Sequence, residues 1–196
     1  MKINSIIIFA IFLFAWPSPS ALCNELTSLM DQVEILKVSR NEYTLGKALT
    51  DKQKTIARRN TEQEAIPGTW KFKHDNLHVV ADRNTGRVLI LYEQYEKASK
   101  KKIRDLIGSL FLEFGKPTVM AHDKIIYWAF DSKGKVSEKE YEKIKDAKKK
   151  PLRILATVKL NSSEPIMEKG AGSKDGSIYY IISSDPVLKL VGNFVE

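Results

Sequence analysis

Three histidines offer the first chemistry to weigh. His74 and His78 lie four residues apart. On a helix that spacing sets two imidazoles on one face, ready for a metal ion. The surrounding KHDNLHVV instead reads as a turn entering a strand. A strand rises about 3.3 Å per residue, which parts the two rings by roughly 13 Å. His122-Asp123 precedes another strand-like stretch and joins them only if the strands are neighbours. An exported hydrolase or metal-dependent enzyme using His74, His78, His122 and Asp123 is therefore the alternative reading. It requires at least two of the rings to converge beside a pocket. Polar residues at strand ends are the plainer reading.

Nucleophiles add little. No G-x-S-x-G elbow is present, and Ser162, Ser163, Ser183 and Ser184 have no marked partner. The glycine-rich EKGAGSKDG lacks the spacing that cradles a phosphate, so it reads as a loop and no cofactor is expected.

Lysine clusters discriminate better. Lys148, Lys149 and Lys150 close a helical pattern, where the helix dipole welcomes positive charge. Lys100, Lys101 and Lys102 open one, where the dipole opposes it. That breaks a local rule without visible gain, which marks the cluster as a candidate for binding an anion or partner. Arg58 and Arg59, on a mostly polar helix, form a second candidate docking element. Aromatics concentrate in the strands. In IIYWAF, alternation sends Ile126, Trp128 and Phe130 to one side and Ile125, Tyr127 and Ala129 to the other. Tyr127, with Tyr92 and Tyr179, is expected to line the sheet face that helices leave uncovered.

The elements that position these residues follow from periodicity. Leu26, Leu29, Met30, Val33 and Leu36 recur at helical spacing, and Gly46 is expected to end that run. Thr50 and Gln53 form a capping box for a second helix that Pro67-Gly68 ends. NLHVVAD and RVLILYEQY flank DRNTG as a hairpin. Ile103, Leu106, Ile107, Leu110, Phe111 and Phe114 make the best amphipathic stripe in the chain, capped by Gly115 and stopped by Pro117. KIIYWAF reads as a strand. Ser137 and Glu140 open a further helix. LRILATVKL, GSIYYIIS and VLKLVGNF are read as three more strands. The expected fold is α+β: an antiparallel sheet of about five to six strands with two amphipathic helices on one face, preceded by an N-terminal helical segment.

The N-terminus sets the compartment. Lys2 followed by the apolar run Ile6 to Trp16 has the layout of a secretory leader, too short to span a bilayer. Pro17 and Pro19 are expected to stop any helix there. Cleavage is expected near Ser20 or Cys23, giving a leader at residues 1–23, a helical segment at 24–66 and the α+β domain at 67–196. Leu22 is bulky just before Cys23, which disfavours lipid attachment, and a single cysteine excludes an internal disulfide. A periplasmic or secreted bacterial protein fits. The net charge is +8, or +7 once Lys2 leaves. That favours acidic partners, including an anionic membrane surface, while export leaves nucleic acid out. The leading expectation is thus a small non-enzymatic binding or accessory protein. It engages an envelope protein, or an anionic or apolar ligand, through Lys100, Lys101 and Lys102, Tyr92, Tyr127 and Tyr179, and Arg58 and Arg59. A third reading is a subunit whose N-terminal helices order only in an assembly, which requires the Leu26–Leu36 face to stand open.

Overall fold

A computed structural model describes residues 19–64, 66–146, 153–166 and 175–193. The apolar leader run, Lys148, Lys149, Lys150 and the glycines Gly170 and Gly172 lie outside the described residues. In chain order the elements are α1 (Pro19–Ile35), β1 (Ser39–Arg40), β2 (Tyr43–Thr44), α2 (Asp51–Arg59) and β3 (Thr61–Glu62). Then come β4 (Thr69–His74), β5 (Leu77–Asp82), β6 (Val88–Ala98), α3 (Lys100–Phe114) and β7 (Val119–Ala121). Last are β8 (Ile125–Asp131), β9 (Gly134–Lys135), α4 (Glu138–Asp146), β10 (Ala156–Ser162), β11 (Gly176–Ser183) and α5 (Asp185–Asn193). The class is α+β. Nine strands form one antiparallel sheet in the order β3-β4-β5-β6-β11-β10-β8-β7, with β9 on β8, while β1 and β2 form a separate hairpin. No described helix is long and apolar enough to cross a membrane.

Alternation along the strands puts Phe72, Val79, Leu91, Ile182, Val158 and Trp128 on one face, all fully buried. They share one core with residues of α1, α2, α3 and α5. The α3 stripe supplies Ile103, Leu106 and Leu110. Phe111 and Phe114 meet Trp128 edge-on or tilted at 5.6 and 6.0 Å, and the Trp128 indole donates to the Gly115 carbonyl at 2.8 Å. The apolar face of α1 is closed: Leu29, Met30 and Val33 are buried, and Leu26 and Leu36 pack against the core. The reading that needed this face open therefore loses its support.

Several expectations need correction. Five helices are described instead of three or four, and α4 does not join α3: its Tyr141 stands close to Tyr127 on the opposite sheet face. Pro19 opens α1, because proline is well tolerated at a helix's first position. The first helix ends at Ile35, well before Gly46. Lys37 and Asn41 adopt left-handed φ of 54° and 52° and turn the chain into the β1–β2 hairpin. The capping box at Thr50 and Gln53 is present, but α2 stops at Arg59, and Thr61–Glu62 pairs with β4. KHDNLHVV holds a complete hairpin turn at Asp75-Asn76, so β4 precedes β5 as a strand of its own. The described part of VLKLVGNF, up to Asn193, is helical, as α5. Ser184 accepts a hydrogen bond from the Val187 amide at 3.3 Å, Pro186 sits in the first turn, and Val187 and Val191 bury one face at helical spacing.

Gly46 explains how the hairpin seats on α1. Its φ is 83°, and a Cβ there would lie 2.8 Å from both the Glu34 nitrogen and the Met30 carbonyl oxygen. Gly46→Ala should destabilise the fold by about 2 kcal/mol or more, from the left-handed backbone and the forced separation. Urea unfolding checks this; a change under about 0.5 kcal/mol would contradict the close approach.

Candidate functional site

The sheet register decides which candidate residues meet. Tyr92 pairs with Ile181, Ile181 with Lys159, and Lys159 with Tyr127. On the other flank Tyr92 pairs with His78, and His78 with Lys73. Directly paired residues share a sheet face. One cross-strand row therefore reads Lys73, His78, Tyr92, Ile181, Lys159, Tyr127. The next row, two residues along, reads Gln94, Tyr179, Asn161, Ile125. The row on the other side (Val80, Ile90, Ser183, Thr157, Ala129) is largely buried. The first two rows are less covered, with Tyr127 half-buried where Tyr141 of α4 stands close. Lys73, Lys159, Gln94 and Tyr179 are exposed, and Tyr92, Ile181, Asn161 and Ile125 are half-buried.

Local contacts hold this open face in order. The Tyr92 and His78 rings stack with centroids 4.6 Å apart and planes 9° from parallel. Glu62 lies 3.1 Å from His78 Nδ1 and 3.2 Å from Lys71 Nζ. Burial alone would raise the Glu62 pKa, but its hydrogen bonds and charge contacts with Lys71 and His78 outweigh that and lower it. Tyr179 Oη accepts from Asn161 Nδ2 at 3.2 Å. Burial, then Asp185 and Tyr141, push the Tyr127 phenol up to about 12. Tyr127 is thus a neutral donor at any physiological pH.

The lysine cluster lies elsewhere. Tyr95 is three residues from Tyr92, so it points through to the helix side. Lys102 Nζ sits 4.7 Å from the Tyr95 ring centroid, a cation–π contact. Ser99 caps α3 by accepting the Lys102 amide hydrogen at 3.3 Å. Lys101 and Lys102 are exposed and Lys100 half-buried. The single surface expected from the lysines and tyrosines together is therefore two surfaces on opposite sides of the sheet.

Lys102 borders a cleft of about 350 Å³ between α3, the β1–β2 turn and the β4–β5 turn. Its floor is a charged network. Glu93, only 6% exposed, accepts from Tyr180 Oη at 2.6 Å and from Tyr95 Oη at 2.5 Å. Arg40 Nε donates to Tyr180 Oη at 2.9 Å and lies 3.6 Å from Glu93 Oε1. The other Arg40 nitrogens reach Glu113 at 2.7 Å and Ser109 at 3.1 Å. Burial, and then Glu93, raise the Tyr95 and Tyr180 phenols. Both remain donors to the carboxylate. Nearby, burial with Glu42 and Asp75 pushes Tyr43 up to about 12. A wider groove of about 520 Å³ runs between α1 and the hairpin, beside the exposed Ile35.

The histidines do not converge. His74 lies on the helix side, 3.0 Å from Tyr43 Oη and 3.3 Å from Glu42. His78 pairs with Lys73, one position along from His74, and so points to the open face. His122 and Asp123 form the exposed β7–β8 turn with φ of 52° and 51°. That turn is four strands from β5, about 19 Å away at ordinary strand spacing. Among the described residues no group of three or more His, Cys, Asp or Glu side chains could hold a metal ion. Arg58 and Arg59 are exposed in the last turn of α2, where the dipole favours them; the next residue, Asn60, hydrogen-bonds the Lys73 backbone, so this helix end borders the Lys73 edge of the open face. Arg40, Glu93 and Tyr95 are the residues that sequence reasoning missed. A signal existed: Leu89, Leu91, Glu93 and Tyr95 alternate, which puts a carboxylate in line with core positions.

Two outcomes follow. Glu93→Ala should cost about 2 kcal/mol or more in urea unfolding, because it leaves the buried Tyr180 hydroxyl and the half-buried Tyr95 hydroxyl without their acceptor, while Arg40 keeps Glu113 and Ser109. A loss under about 1 kcal/mol would contradict the network. Four of the seven tyrosines (Tyr43, Tyr95, Tyr127 and Tyr180) have raised pKa values. Their contribution to stability is whole below the ordinary phenol pKa of about 10. It is lost as the pH climbs toward about 12 and beyond. Phenolate absorbance should therefore show a late group of tyrosines ionising together with alkaline unfolding.

Compared with known protein families, curated proteins and solved structures, the chain matches none.

Proposed function

We propose that the chain is an exported, non-enzymatic binding module that takes an acidic protein segment on its open sheet face. The carrying observation is the register that sets Tyr92, Tyr179 and Ile181 between Lys73 and Lys159, with Tyr127 and Ile125 on the next strand beyond Lys159. The two lysines are four strands apart, about 19 Å, and neither makes a recorded ion pair among the described residues. The centre of the face is apolar and aromatic, as the core of a protein interface is, and its flanks are cationic. An amphipathic segment with acidic residues at both ends complements it. The leader layout of Lys2 and Ile6–Trp16 supports export, and the net charge of +8 supports acidic partners.

The test uses a synthetic amphipathic peptide with a leucine face and glutamates at both ends, titrated into the full chain. Lys73→Glu and Lys159→Glu should each weaken binding by about tenfold and flatten its salt dependence. Tyr179→Ala should weaken it without changing the salt slope. Lys52→Glu, an exposed charge on α2, should leave affinity nearly unchanged. Equal losses from Lys52→Glu and Lys159→Glu would mean the chain responds only to net charge, and the reading would fall.

A further inference from the structure

We propose that the cleft beside Lys102 is a second binding site, built for a small neutral saccharide. Its volume of about 350 Å³ is at the lower end of small-molecule pockets, roughly 300–1,000 Å³. Its lining is almost wholly polar, with Leu106 the one aliphatic side chain. The floor is already satisfied. Glu93 spends its oxygens on Tyr95 and Tyr180, and Arg40 is held by Glu113, Ser109 and Tyr180. These groups shape the site and leave little to offer a ligand.

The walls differ. Asn41, Asp75, Asn76 and Asp105 line the cleft as exposed residues, and among the described residues none of their side chains has a recorded hydrogen bond to the protein. Lys102 stands over Tyr95 at the mouth. The walls therefore present two amides, each both donor and acceptor, two carboxylates that only accept, and one ammonium that only donates. An anion meets Asp75 and Asp105. A cation meets Lys102 with Arg40 behind it. A neutral ligand bearing several hydroxyls suits both signs, since each hydroxyl donates to a carboxylate and accepts from an amide or ammonium. Asn41 and Asp75 also occupy left-handed turn positions, with φ of 52° and 54°, which fixes two wall groups on tight turns instead of loose loops. Leu106 and the Tyr95 ring supply the limited apolar contact a sugar ring uses. This site is independent of the open sheet face, which lies across the sheet.

The experiment titrates the full chain with glucose, N-acetylglucosamine and maltose, and separately with inorganic phosphate, glutamate and spermidine, following backbone amides by NMR. At least one saccharide should give saturable shifts at Asn41, Asp75, Asn76, Lys102 and Asp105 with a Kd of about 1 mM or tighter. The double substitution Asn76→Ala with Asp105→Asn should weaken that binding by about tenfold or more while circular dichroism and Tm stay close to the parent's. Lys159→Glu should bind the saccharide as the parent does, so failure of the open-face reading and failure of this one are told apart. Absence of saturable shifts with every saccharide at about 10 mM would overturn the proposal. Tighter binding of phosphate, glutamate or spermidine at the same residues would overturn it as well.

Discussion

A carboxylate taken out of water must find hydrogen-bond partners for both oxygens, or its burial is costly. Glu93 meets that demand with two tyrosine hydroxyls and the nearby Arg40 guanidinium. The partners come from separate elements: Tyr180 from β11, Tyr95 from β6 itself, and Arg40 from the β1–β2 hairpin. Arg40 then carries the connection on to Glu113 and Ser109 of α3. One buried charge thus ties the hairpin, two central strands and the main helix together. The hairpin has only four strand residues and could not hold its own position by pairing alone. A second fastening, the close approach of Gly46 to α1, is steric and tolerates no side chain. The Gly46 amide also donates to the Val88 carbonyl, and Gln53 of α2 donates to the Glu42 carbonyl, so the hairpin wall of the polar cleft is held from several sides.

The second organising constraint is the period of two along a strand. Tyr92 and Tyr95 are near neighbours in sequence, yet they serve opposite sides of a sheet. Tyr92 joins a row that crosses six strands, and Tyr95 joins the Glu93 network. The consequence is energetic as well as spatial. Groups without shared partners act additively, so chemistry on one side can change with little effect on the other. A one-residue slip of β6 against β11 would exchange the two sets and bury Gln94 while exposing Leu91, which is why the register is so firmly specified.

Much of this was legible from residue types and spacing. The long hairpin from Leu77 to Ala98, the α3 stripe and both capping boxes carry strong local signals, and each forms as read. The failures share a cause: short apolar runs fit either period. VLKLVGNF offers Val and Leu in either setting. The deciding features were Ser184, Pro186 and the four-residue spacing of Val187 and Val191, a weaker signal than β-branching. The β1–β2 hairpin escaped because two-residue strands have no periodicity to detect. The candidate surfaces were half legible. Alternation correctly parted Tyr127 from Trp128, but the pairing that lines Tyr92 up with Tyr127 is a long-range fact. Arg40 reaches Tyr180 across 140 residues of sequence, and no local pattern announces that.

An open sheet face is also a hazard, and the chemistry of this one answers it. The sheet's outermost strands, β3 and β7, are two and three residues long, so its edges offer little template for another chain. The exposed face is another route to self-association. Ile181, Ile125, Tyr92 and Tyr179 would favour two copies stacking face to face. Lys73 and Lys159 oppose it, because stacking would crowd like charges around a drying centre. Fully apolar residues at those two positions would strengthen contact and lose discrimination; further lysines would keep the chain soluble and leave nothing to grip. The mixture suits the proposed role, in which this surface rejects its own kind and accepts a partner of opposite sign.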